Sequence, residues 1–328
     1  LAVRAVTLGA PVNPDWSSMK GLNFVWNPDL SQLTSASIVT ATGQIFFTLS
    51  LGMGIICNYA SYLQPDEDIV TASVATVALN EFAEVILAGT SVIPISYAFL
   101  GPEGIKGSIG LAFMALPNVF TTMAGGRIFG AVWFFLLFFA GFTSAIAMYN
   151  YLVALLEEEL GVQRKKGALL IFVLYLIVGA PIAAEGIITG EANLVYFTEV
   201  DNWIGNYLLI VLGLLEVITL AWLVKDEGLE EMNRGGLWHV PKWFYKLFHQ
   251  FLTPICIIVF LGIFTRDYWI AGNFKITPSY IEGIEYMAPW VNAARLVVVV
   301  VLIIGFAQTY RAIKRKYKDE IETNKANA

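Results

Sequence analysis

The run 36–63 reads SIVTATGQIFFTLSLGMGIICNYASYLQ, membrane-length and apolar, with Ser50-Leu51-Gly52-Met53-Gly54 at its centre. Two glycines around one side chain, behind Thr48 and Ser50, suit a plain lipid-spanning helix badly. Glycine costs about 1 kcal/mol relative to alanine inside a helix, and in hydrocarbon every freed backbone group needs another partner. A helix broken at that depth persists where its backbone lines a polar cavity, and carriers use such breaks to offer carbonyls and half-helix ends to ions and substrates. The same glycines would also serve a kink at a close helix–helix contact.

Other polar residues also sit inside or at the edge of apolar runs, where a charge at the bilayer centre costs at least ~2.5–3.5 kcal/mol and as a rule faces the protein interior. Asn80 and Glu84 share one helical face and could point an amide carbonyl and a carboxylate into one cavity, or pair two helices structurally. Ala140, Thr143, Ser144 and Met148 form one stripe. A hydroxyl of Thr143 or Ser144 with the Ala140 carbonyl suits a small hard cation, which takes oxygen ligands. Small residues on a stripe also let helices approach, and Ser/Thr hydroxyls bond back to the preceding turn. Glu216, alone in its run, reads as a buried hydrogen-bonding residue. Asp201, at the edge of the same run, reads as a helix N-cap or as a gate.

The elements that must position these groups are membrane helices. The 328 residues are 57 % hydrophobic and 14 % charged, with a mean hydropathy of +0.66, which implies a polytopic membrane protein. Seven runs are long enough to span: 36–63, 69–100, 128–156, 168–184, 203–224, 243–265 and 289–310. The first three exceed the ~20 residues of a straight span, so they tilt, kink or extend beyond the bilayer. Leu1–Leu8 reads as the tail of an apolar segment begun earlier, and residues 1–34 as that helix end plus an extracellular loop. Residues 35–313 then form the transmembrane domain, and 314–328 a charged tail. Lys and Arg concentrate after the third, fifth and seventh runs, for example Arg164, Lys165, Lys166, Arg311 and Lys314. By the positive-inside rule Asn27 lies outside and the C-terminus in the cytoplasm. The outer connection 101–127 reads as short helices folded over the outer face, either as a lid or as an amphipathic loop. Cys57 and Cys256 lie in different runs and read as buried thiols. With no histidine inside a span and no Cys/His cluster, an intramembrane enzyme is not expected, nor is a nucleic-acid partner.

The segments GLNFVWNPDLSQL, ATGQIFFTLSLGMG, NYASY, ALNEFAEVILAG, ALPNVFTTMAGG, WFFLLFFAGFTSAIAM and EMNRGG resemble the neurotransmitter:sodium symporter family, and within it the prokaryotic amino-acid transporters of LeuT type. The resemblance runs along essentially the whole chain, from the end of that family's fifth helix through its twelfth. It implies an all-α inverted-repeat fold, here the second repeat plus two accessory helices. Residues 36–63 correspond to the unwound sixth helix, and 101–127 to the fourth extracellular loop.

Site roles follow from the resemblance residue by residue. Phe47, Thr48, Ser50 and Met53 occupy substrate-pocket positions, with Ser144 and Met148 joining them and Phe47 closing the pocket. Two sodium ions are implied: Thr48 and Asn80 bind the first; Ala140 through its carbonyl, with the Thr143 and Ser144 hydroxyls, binds the second. Gln44 and Asp201 match outer-gate positions, Tyr62 and Glu158 inner-gate ones, although 157–159 could equally be a solvated helix end. Glu84 stands where chloride-dependent animal members have serine. A fixed carboxylate balances sodium charge without chloride and could take up a proton when sodium leaves.

The resemblance thus implies chloride-independent, sodium-coupled symport of a neutral amino acid by alternating access, with no organic cofactor, in a prokaryotic inner membrane. Methionine at 53 and 148 makes an apolar, adaptable pocket, which suits a hydrophobic or aromatic substrate. The family's first helix and the arginines that would face Asp201 and Glu158 have no counterpart here, so an N-terminal half carrying helices one to five is an expected partner. A homodimer is compatible with the resemblance. The alternative is a non-transporting scaffold or receptor-like relative of the same fold.

Overall fold

A computed structural model describes residues 2–105, 113, 116–122, 124–190 and 193–318, and all regular structure among them is helical. In chain order the helices are α1 (Ala2–Thr7), α2 (Ser18–Trp26), α3 (Ser35–Thr48) and α4 (Ile55–Ala60). Then come α5 (Ile69–Pro102), α6 (Leu116–Thr121), α7 (Gly126–Glu158), α8 (Arg164–Thr189) and α9 (Val195–Val224). The series ends with α10 (Asp226–Asn233), α11 (Lys242–Ile270) and α12 (Glu285–Lys316). Among the described residues, six helices are long and apolar enough to cross a membrane: α5, α7, α8, α9, α11 and α12. Each extends the apolar run read from the sequence. The first run, 36–63, is two helices, α3 and α4, with no helix from Leu49 to Gly54. Residues 106–112, 114–115 and 123 of the connection expected as an outer lid, and most of the charged tail, lie outside the described residues.

Three of the long helices change winding along their length. Phe82–Gly89 of α5, Asn202–Leu208 and Thr219–Val224 of α9, and Lys246–Leu252 of α11 are π-helical. Such wider turns cost hydrogen-bond geometry and collect at functional positions.

The chain divides into two compact units. One comprises residues 1–33, 68–144 and 233–239; the other comprises 34–67, 145–232 and 240–328. In the first, α2 lies against the second half of α5, close enough that a Cβ on Gly21 would stand 2.7 Å from Pro94 Cα. The core there is Ala5, Ile95, Leu116, Val119 and Phe120. Asp68 caps α5, accepting from the Thr71 amide at 2.9 Å and hydroxyl at 2.7 Å, and also from the Leu237 amide at 3.0 Å. The Leu237 bond first, then those of Thr71, hold the Asp68 carboxyl below the usual aspartate value.

In the second unit α3 lies on α9 and α11. Val39, Ile210, Ile257 and Leu261 form that core, with Phe46, Tyr207 and Phe264 packed around it. A second core, Val195, Ile281, Met287 and Val291, joins the start of α9 to the start of α12. Much of the apolar surface elsewhere is exposed, for instance Leu170, Phe172 and Leu176 of α8 and Ile303 and Phe306 of α12, as lipid-facing helices require. Both cysteines are free thiols, but Cys57 is exposed and Cys256 half-buried, not buried as expected.

The α3–α9 contact depends on two glycines. A Cβ on Gly43 would come within 2.9 Å of Asn206 Oδ1, and one on Gly213 within 2.0 Å of the Phe46 ring. Gly213→Ala is therefore expected to destabilise the protein by ~1–3 kcal/mol through overpacking, with Phe46→Leu restoring most of the loss. Thermal unfolding in detergent of the single and double variants checks this, and an unaffected single variant contradicts it.

Candidate functional site

The interruption of the first apolar run is the chemically loaded part of the second unit. Helix α3 ends with the Leu49 amide bonded to the Ile45 carbonyl at 3.1 Å, Ser50 to Phe47 at 3.1 Å, and Leu51 to Phe46 at 2.8 Å. The chain then leaves helical winding three times in five residues: Ser50, Gly52 and Gly54 have φ of 56°, 71° and 71°. The left-handed region costs an L-residue about 1–2 kcal/mol and glycine almost nothing. Glycine thus takes two of these positions, and Ser50 holds the third under strain.

The glycines are required by space as well as by conformation. A Cβ on Gly52 would lie 2.7 Å from the Leu209 carbonyl oxygen of α9, and one on Gly54 2.3 Å from the Tyr151 hydroxyl of α7. Glu216, on the same helix as Leu209, accepts the Gly52 amide through Oε2 at 3.0 Å. Glu216, the isolated acid of the run 203–224, is thus a hydrogen-bonding residue, as its isolation suggested, but it is exposed rather than buried, and its partner is the broken backbone itself. Phe47 is 51 % exposed, while Thr48, Ser50 and Met53 are half-buried around the interruption. An exposed aromatic ring, two hydroxyls and a thioether on an irregular backbone can recognise a small zwitterion with an apolar side chain.

In the first unit Asn80 and Glu84 face one another across the start of the π-helical stretch of α5, with Asn80 Nδ2 3.4 Å from Glu84 Oε2. The amide nitrogen is turned toward the carboxylate. On α7 the Thr143 hydroxyl stands 2.9 Å from the Phe139 carbonyl oxygen and 3.2 Å from that of Ala140. Helical threonines make such local bonds routinely. The Ala140–Thr143 spacing is also that of neighbouring oxygens around a hard cation held at about 2.3–2.6 Å. Ser144 follows on the same helix and is exposed, and Met148, one turn further, is half-buried. Thr48 belongs to the second unit and Asn80 to the first.

Among the gate candidates, Asp201 lies inside α9 at the junction with its first π-helical stretch, six residues past the helix start, so it is not an N-cap. That start is served instead by Glu185 of α8, fully buried, which accepts the Val195 and Tyr196 amides at 2.7 and 2.8 Å. Asp201 itself is exposed and is approached by Asn206 Nδ2, 3.5 Å from Oδ2. Gln44 is exposed on α3. Tyr62 is 69 % exposed and Glu158 is exposed, while the neighbouring Glu157 and Glu159 pair with Arg164 and Lys316, each at 3.1 Å.

Sequence reasoning passed over one cluster near Asp201. Glu199, fully buried, accepts from Arg295 Nε of α12 at 2.6 Å, from Trp203 Nε1 at 2.8 Å, and from the Tyr280 hydroxyl. An arginine within the apolar run 289–310 was the available signal, because an ionisable residue in a span needs a partner.

The sequence matches the sodium:neurotransmitter symporter family over residues 1–314. It is 32 % identical over 274 residues to an uncharacterized sodium-dependent transporter of Methanocaldococcus jannaschii, covering 79 % of this chain and 54 % of that protein. It is 31 % identical to the sodium-dependent transporter YhdH of Bacillus subtilis, covering 80 % of this chain and 57 % of the relative. The chain thus spans little more than half the length of these relatives. Among solved structures, that of MhsT in complex with L-phenylalanine is similar with a TM-score of 0.68 at 29 % identity, covering 80 % of this chain and 58 % of that one. That likeness makes the fold LeuT-type.

Removing the acceptor of the Gly52 amide leaves a buried donor unsatisfied, at a cost of ~1–3 kcal/mol. Glu216→Leu is therefore expected to lower stability by that amount. Glu216→Gln, which keeps an acceptor oxygen, retains most of it. Wild-type thermal unfolding in the leucine variant would contradict the role given to Glu216.

Proposed function

The chain belongs to the sodium:neurotransmitter symporter family, and on that premise we propose that the protein is a sodium-coupled symporter of a neutral, hydrophobic or aromatic amino acid, working by alternating access. The observation that carries the reading is the broken run between α3 and α4, whose strained backbone gives the Gly52 amide to the Glu216 carboxylate of α9 in place of a helical hydrogen bond. Transporter folds of the inverted-repeat class bind substrate at such discontinuities. The L-phenylalanine bound in the related MhsT structure supports the substrate class. So do Met53 and Met148, whose flexible thioethers adapt to apolar side chains.

In this reading Phe47, Thr48, Ser50, Met53, Ser144 and Met148 contact the substrate. Thr48 and Asn80 are ligands of one sodium ion, and Ala140, Thr143 and Ser144 are ligands of a second. Glu84 supplies the anion that balances their charge, so transport runs without chloride. Gln44 and Asp201 gate the outer side; Tyr62 and Glu158 gate the inner side. The remaining ligands, and cationic partners for Asp201 and Glu158, are proposed to come from an N-terminal half of the protein. The protein sits in a prokaryotic inner membrane with its C-terminus in the cytoplasm. Inward sodium flow supplies the energy, the membrane potential adding ~2.3 kcal/mol per charge per 100 mV.

Thr48→Ala and Thr143→Ala each remove one ligand oxygen and leave a shape the helix accepts. Each is expected to raise the half-saturating sodium concentration of the full-length protein about tenfold, the effect of roughly 1.4 kcal/mol, with little change in melting temperature. Unchanged sodium affinity in both would remove the ion-site assignments.

Glu84 makes a separate prediction. Uptake should persist when gluconate replaces chloride, and Glu84→Ser should make uptake respond to chloride. A wild-type protein that stops without chloride contradicts the charge-balance argument.

A further inference from the structure

Glu199 and Asp201 are two residues apart on α9, and at about 100° per residue they project to nearly opposite sides of the helix. The Glu199 side is locked. Its carboxylate takes hydrogen bonds from Arg295 Nε at 2.6 Å, Trp203 Nε1 at 2.8 Å and the Tyr280 hydroxyl. The guanidinium uses its remaining nitrogens on the carbonyls of Lys275 and Asn273, both at 2.6 Å. The loop after α11, the first turns of α12 and the first turns of α9 are thereby joined through one fully buried acid. Burial and the bond to Glu199 push the Tyr280 phenol far above its ordinary value, so it remains a donor.

The Asp201 side is shaped by the π-helical stretch that follows. Asn206 Nδ2 reaches back to the Asp201 carbonyl at 3.4 Å and to its carboxylate at 3.5 Å. A Cβ on Gly205 would stand 2.4 Å from Asp201 Oδ1, so the carboxylate lies in room that only glycine leaves. A buried ion pair is a poor route to stability, because well-packed apolar residues of similar volume often do as well or better. What an Arg–Glu pair with fixed hydrogen-bond directions adds is orientation.

We propose that Glu199 and Arg295, with Tyr280, are positioning residues that set the rotation of α9 and so the direction in which Asp201 presents its carboxylate. This deepens the gate reading of Asp201 and rests on it. Glu199 need not touch substrate; it acts through Asp201.

The test uses the full-length protein in liposomes with L-phenylalanine, or with the fastest-transported standard amino acid where that differs. It compares Tyr280→Phe, Glu199→Gln, Asp201→Asn and the two doubles that combine Asp201→Asn with each of the others. Tyr280→Phe leaves the charge pair intact and serves where Glu199→Gln fails to fold. Each single variant is expected to raise KM about tenfold, the effect of one lost charge-assisted hydrogen bond, while keeping most of kcat. The doubles should be no worse than Asp201→Asn alone, because residues acting through one group are not additive. Lower melting temperatures with unchanged KM, or losses that multiply in the doubles, would overturn the positioning role while leaving Asp201 as a gate. Wild-type kinetics in Asp201→Asn would overturn the gate and the positioning role together.

Discussion

A membrane span opened in the middle leaves amides and carbonyls with no water to take them, and here a carboxylate from a neighbouring helix takes one of those amides. Glu216 crosses from α9 to accept the amide of Gly52. Around that bond the neighbouring features fall into place. The glycines at 52 and 54 adopt left-handed conformations that other residues resist. The Leu209 carbonyl and the Tyr151 hydroxyl occupy the space their side chains would need. Gly213 lets Phe46 seat α3 directly on α9. Without an acceptor at 216 the Gly52 amide would lose this bond and carry its desolvation cost.

A second constraint acts on the far side of α9. Two buried acids fasten its first turns: Glu185 reaches them from α8, and Glu199, on α9 itself, ties them to Arg295 of α12. Both are satisfied by several donors, as carboxylates removed from water must be. The helix that carries Glu216 is thus fixed at its N-terminal end before it reaches the interruption. An immobile α9 gives the strained backbone something rigid to lean on.

Much of this was legible in the sequence where the signal is local. The break was readable because Gly-X-Gly inside an apolar run contradicts a continuous helix, and Glu216 because a lone acid there must hydrogen-bond to something. The helix ends were not legible, since α9 begins at Val195 and is capped by Glu185, on a different helix. No nearby residue announces that cap, and Asp201 looked like the better candidate. Arg295 stood in the last run and Glu199 ahead of the fifth, and only the fold shows that they meet. The stripe Ala140, Thr143 and Ser144 was readable as oxygen donors, and the resemblance sorted these residues, with Thr48 and Asn80, into two proposed ion sites. The structure adds that the oxygens of Thr143 and Ala140 lie 3.2 Å apart, a spacing that periodicity alone could not supply.

The central claim is that the interrupted span is an ion-coupled amino-acid site. Equilibrium binding of radiolabelled amino acids to the purified full-length protein, in sodium and then in potassium at equal ionic strength, tests it most directly. The account predicts saturable binding of a hydrophobic or aromatic amino acid that requires sodium and is lost in potassium. Equal binding in the two salts, or none for any neutral amino acid by a folded protein, would contradict it.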